Sequence, residues 1–79
     1  MKLKAIAANQ NEIETSDGTL VFFSYKTPVA AFISGQGIIR TKKKWSSTTS
    51  RHINQWIGAN APTATVSEVE QETLDSLID

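Results

Sequence analysis

One stretch limits what this chain can fold into more than any other. Residues 19–25, TLVFFSY, are apolar on both alternating faces: Leu20 and Phe22 point one way, Val21, Phe23 and Tyr25 the other. A strand with one wet face alternates apolar and polar residues, so a run that is apolar on both sides reads as a central strand. The flanking sequence supplies its neighbours. Residues 2–8 read as a short strand, 9–11 as a polar turn, and 12–15, with Ile13 between two acids, as a half-buried edge strand. Asp17-Gly18 signals a tight hairpin of type I′, which needs positive φ at both central positions. Thr27-Pro28 interrupts the pattern, because proline cannot donate to a ladder and restricts the residue before it. Residues 29–33 form the next strand, Gly35, Gln36 and Gly37 a turn, and 38–42 a return strand, with Ile38 and Arg40 facing opposite to Ile39 and Thr41.

Beyond Trp45 the period changes. Ile53, Trp56 and Ile57 fall at i, i+3 and i+4, one apolar face of a short helix, and Gly58 stands where a left-handed residue would end it. Residues 59–65 read as a connector. A second helix is predicted to start at Ser67, with Glu70 three residues on completing a capping box, and Val69, Leu74, Leu77 and Ile78 as its apolar stripe. The expected fold is α+β: a small, curved antiparallel β-meander of four or five strands with one packed helix and an acidic C-terminal helix. Residues 1–58 hold the meander and first helix, 59–65 the connector and 66–79 the acidic helix, in a single domain.

A chain of 79 residues has one modest core and buries only about 60% of its unfolded surface. It has no cysteine, which excludes disulfides and thiolate metal sites. Residues 3–8 are at the lower limit for a leader segment and read better as a strand, and no apolar run approaches the roughly 20 residues that span a bilayer. The expectation is a cytoplasmic protein with no membrane association. The net charge of zero hides an asymmetry. Residues 1–58 carry all eight Lys and Arg with three acids, a net +5, and residues 59–79 carry five acids and no Lys or Arg, a net −5. Either the basic body meets an anionic partner, or the acidic tail lies on the body and neutralises it.

The stretch KKKWSSTTSRH, residues 42–52, concentrates the candidate chemistry. Thr48, Thr49 and Ser50 precede the first predicted helix, whose N-terminal N–H groups lack intrahelical partners. With Lys42, Lys43 and Lys44 on the approach, and Arg51, they would make an anion site from hydroxyls, amides and positive charge. The alternative is that one hydroxyl caps the helix and the lysines guard an edge strand. Trp45 reads as core, packed against Trp56, or, if exposed, as a stacking platform for a nucleobase among basic residues. His52 is the lone histidine; without companion ligands it reads as a hydrogen-bonding residue fixing the loop before the helix, and not as a metal ligand or general base. No Walker loop or GxGxxG is present, and no cofactor is expected.

The order Phe23-Ser24-Tyr25, Thr27-Pro28-Val29-Ala30-Ala31, Trp45-Ser46, then Thr48-Thr49-Ser50-Arg51-His52-Ile53-Asn54 and Trp56 resembles a family of small uncharacterised phage and prokaryotic proteins. Their pattern is F-x-S-Y-x-T-P-V-A followed by S-x-T-T-S-x-H-I-N-x-W. The resemblance spans roughly residues 20–58 and implies a phage context but no chemistry. It also groups Ser24, Tyr25, Thr27, Thr48, Thr49, Ser50, His52 and Asn54 as either a buried network tying hairpin to helix or a shared ligand site. The resulting expectation is a non-enzymatic binding protein, engaging nucleic acid or a nucleic-acid-handling host protein. Its contacts would come from Arg40, Lys42, Lys43, Lys44, Trp45, Thr48, Thr49, Ser50, Arg51 and His52. The alternatives are an inhibitor acting on a host enzyme or defence system by protein–protein contact, and a nucleotide or small-anion binder at the Ser/Thr/His cluster.

Overall fold

The computed structural model describes residues 2–7, 9–33, 35–60 and 65–78. Along them run β1 (Lys2–Ala7), β2 (Gln10–Glu14), β3 (Leu20–Ser24), β4 (Thr27–Ile33), β5 (Gly37–Thr41), α1 (Ser47–Asn60), β6 (Val66–Val69) and α2 (Gln71–Ser76). The strands make one open sheet in sequence order. Each of β1 to β4 pairs antiparallel with the next, whereas β6 runs parallel to β5. Parallel neighbours need a crossover, and α1 lies in it.

The doubly apolar run is the centre of this arrangement. Phe22 packs with Val29, Ala30, Ile38, Ile53 and Trp56 on the α1 side, and Val21 and Phe23 pack with Ala31 and Leu74 on the other. The sheet is therefore covered by a helix on each face. Trp56 stacks on Phe22, with ring centroids 5.2 Å apart, and its indole N–H donates to Glu12 Oε1 at 2.8 Å. The spacing of Ile53, Trp56 and Ile57 thus marks the buried face of α1, as expected.

Several local expectations are corrected. The sheet has six strands among the described residues, and its edges are β1 and β6, with β2 inside β1. Gln10 and Asn11 belong to β2, not to a turn. The Asp17-Gly18 hairpin has a three-residue loop in which only Gly18 takes a positive φ, +87°. Thr15 N–H donates to Thr19 O and Gly18 N–H to Thr15 O, while the Asp17 carboxylate accepts Thr19 N–H at 3.2 Å. That side chain-to-backbone bond favours the longer loop over a type I′ turn. Pro28 sits inside β4, at a shift of register opposite Phe22 and Phe23 that leaves Val29 as the extra residue; a bulge is one of the places where a sheet accepts proline. Gly58 does not end α1, which continues to Asn60. Asn60 accounts for the extra length, since its side-chain amide donates to Trp56 O.

The largest correction is at the capping box. Ser67 lies in β6 opposite Ile39, and Glu70 precedes α2 without a side-chain cap bond. The outer edge of β5 offers a row of backbone donors and acceptors, and pairing with it outweighs a local helix signal. Of the predicted connector, residues 61–64 lie outside the described residues, as do Ala8 and Asp79.

Candidate nucleic-acid interface

The polar cluster of the α1 start resolves into a chain of side chains. Ser46 is the N-cap: its Oγ accepts Thr49 N–H at 3.1 Å and donates to Thr49 Oγ1 at 3.3 Å. Thr49 Oγ1 is 3.2 Å from Ser24 Oγ at the end of β3, which is 3.0 Å from His52 Nδ1. All four groups are satisfied when Ser46 donates to Thr49, Thr49 to Ser24 and Ser24 to Nδ1, which leaves the imidazole proton on Nε2. Ser24, Thr49 and His52 are buried, so this network ties the β3–β4 hairpin to the helix start. The Ser24–His52 separation is that of a nucleophile and its base. Ser24 is only 2% exposed, however, and no carboxylate among the described residues bonds the ring.

A groove of about 450 Å³ opens beside this network, between the end of β5 and the start of α1. Arg40, Lys42, Lys43 and Lys44 line it against a single acid, Glu68. Ser46, Ser47, Thr49 and Ser50 bring the positive end of a 14-residue helix to the same groove. The first turn of α1 holds no acidic side chain to offset that potential, and the Ser47 and Thr48 N–H groups have no partner among the described residues. A second groove, about 610 Å³, balances Lys26, Lys42 and Lys43 with Glu70, Glu72 and Asp75. Charge therefore singles out the first groove for an anion.

The predicted residues divide accordingly. Arg40, residues 42–45, Thr49 and Ser50 come together at the first groove. Thr48 and Arg51 line neither groove, and His52 lies beneath, in the network. Arg40 also donates from Nη1 to Asn54 Oδ1 at 3.0 Å, which fixes its guanidinium over α1. Trp45 is not core and does not meet Trp56: it is 42% exposed, with Lys43 Nζ 4.2 Å from its ring centroid and its indole N–H on Gln71 Oε1 at 3.3 Å. Helical spacing buries Trp56, whereas Trp45 lies on the irregular stretch between β5 and α1, where no period governs exposure.

The C-terminal segment reaches the same surface, which sequence reasoning signalled only through the charge asymmetry. Glu70 pairs with Lys42 at 2.5 Å, and Glu68 sits opposite Arg40 in the β5–β6 register. The hydrogen bond from Lys42 to Glu70, reinforced by the carboxylate's charge, holds the ammonium above the usual lysine range. Among the described residues no three His, Cys, Asp or Glu side chains gather to hold a metal ion, and no described helix is long and apolar enough to cross a membrane.

A family model matches residues 1–76, nearly the whole chain. The chain belongs to DUF8033, a family of unknown function. No curated protein and no solved structure matches it. For this DUF8033 member the site itself must therefore carry the functional argument.

Proposed function

We propose that this protein is a non-enzymatic binder of nucleic acid, which contacts phosphates along the groove between β5 and α1. The observation that carries the reading is the groove's lining: four cations against one acid, an uncompensated helix start, and an exposed tryptophan at the rim. Phosphates suit cations and backbone amides, and an exposed aromatic among basic residues suits bases. The phage context implied by the resemblance belongs to this reading, and the genes beside this one test it.

Anisotropy of a labelled single-stranded oligonucleotide gives the direct measurement. Neutralising three or four phosphates makes the affinity fall about 20- to 50-fold between 50 and 200 mM salt. The Lys43→Ala/Lys44→Ala variant binds more weakly and with a shallower salt slope. Affinity that ignores salt, or no binding at 50 mM, overturns the proposal. In that event the surface is better assigned to a protein partner, the inhibitor reading.

A further inference from the structure

Beside the basic groove is a smaller cleft of about 290 Å³, whose walls include Tyr25 and Trp45. Tyr25 is half exposed, at 50%, and occupies the first position of the two-residue loop between Ser24 and Thr27. Its φ is +59°, a left-handed backbone that a bulky side chain rarely adopts. The backbone around it holds it there. Tyr25 N–H donates at 2.7 Å to the carbonyl of Asn9, itself at φ +62°, and the phenol ring lies against His52, with centroids 6.2 Å apart. Glycine or asparagine would take this turn position with less strain, so the backbone conformation gives no reason for an aromatic ring here.

The second wall points the same way. Trp45 lines both this cleft and the cationic groove, while Lys43, which covers one face of the indole, lines the groove and not the cleft. Lys43 is therefore not a wall of the cleft, whereas the indole is. The floor of the cleft holds the Ser24 and Thr49 hydroxyls, already bonded to each other, and the exposed Ser46 at its mouth. Two exposed aromatic rings flanking a slot of this size, next to a groove suited to phosphate, match the two ends of a nucleotide.

We infer that this cleft receives one unpaired base of a single-stranded nucleic acid between Tyr25 and Trp45, while the flanking phosphates run in the cationic groove. The inference rests on the nucleic-acid reading and adds strand type: a base stacked in a duplex cannot enter. Phosphate contacts alone would not distinguish single from double strands or strands with bases from strands without.

The test compares a short single strand, the same strand made abasic, and the corresponding duplex at 50 mM salt. The protein is expected to bind the base-bearing strand about tenfold or more tightly than either control. Tyr25→Gly is the deciding variant, because relief of the left-handed strain offsets the lost packing on His52, and a cooperative melt checks that it folds. It loses the preference and binds all three alike through the groove, whereas Tyr25→Phe keeps it. If the unsubstituted protein binds the base-bearing and abasic strands alike with steep salt dependence, the cleft inference fails and the groove proposal stands. A Tyr25→Gly protein that retains the preference also overturns the cleft. No binding to any strand overturns both.

Discussion

At the residue scale, Ser24 shows how position decides what a side chain is for. Its hydroxyl sits between Thr49 and His52, 2% exposed, at the junction of β3 and α1. Removing it leaves His52 Nδ1 and Thr49 short of a partner in a buried place. Ser24→Ala is therefore expected to cost about 1–3 kcal/mol in chemical denaturation. The matching substitution at exposed Ser50 should cost almost nothing. Asp17 provides the pH-dependent case. Bonds from the Thr15 hydroxyl and then from Thr19 N–H hold its carboxyl below the usual value of 3.8. A lowered folded pKa means that the stabilisation is complete above the unfolded value and is lost as pH falls through the folded one. The stability gap between the parent protein and Asp17→Asn should be present at pH 7 and close below pH 3.8, which urea titrations across that range will show. At this scale the two tryptophans mark how far sequence reaches. Trp56 is legible because helical spacing couples it to Ile53. The partner of Trp45, Gln71, lies 26 positions away, beyond the reach of any local spacing.

At the scale of elements, β3, β4, β5 and α1 were legible because alternation and helical spacing are local signals that the packing reinforces. β6 was not, since the same residues carry a local helix-start pattern and a tertiary opportunity, the open edge of β5. Gly37 shows the closeness of that junction. It stands at φ +94°, and a Cβ there would lie 2.9 Å from Thr65 O, the acceptor for Ile38 N–H at 3.0 Å. Gly37→Ala is expected to lose about 1–3 kcal/mol in thermal or urea unfolding. Gly58, on an exposed part of α1 with open space where its Cβ would be, gives the contrast. Gly58→Ala should stabilise by up to about 1 kcal/mol, because alanine is the better helix former. The polar half of the 42–52 stretch was legible as a cluster. Its burial was not, because only the fold brings Ser24 to the helix start.

At the scale of the whole molecule, the net charge of zero is a balance between a basic groove and the acidic strand–helix unit packed beside it. Glu68 and Glu70 sit among the cations that the proposed ligand would use. Glu68→Gln/Glu70→Gln should raise oligonucleotide affinity several-fold at 50 mM salt, with a smaller gain at 200 mM, as screening predicts. The same unit is structural: Leu74 is fully buried against Val21, Phe23 and Ala31. A chain ending at residue 65 should therefore lose its cooperative melting transition by circular dichroism. β6 pairs parallel to β5 at the end of a long crossover. Such a strand closes a large loop and is held by few neighbours, so it is a natural first element to detach. Detachment would bare the GIIRT edge and the apolar surface around Phe23 together, a template for intermolecular sheet growth. Amide exchange in β6 should accordingly outpace that in β3, and aggregation on warming should set in below the melting midpoint.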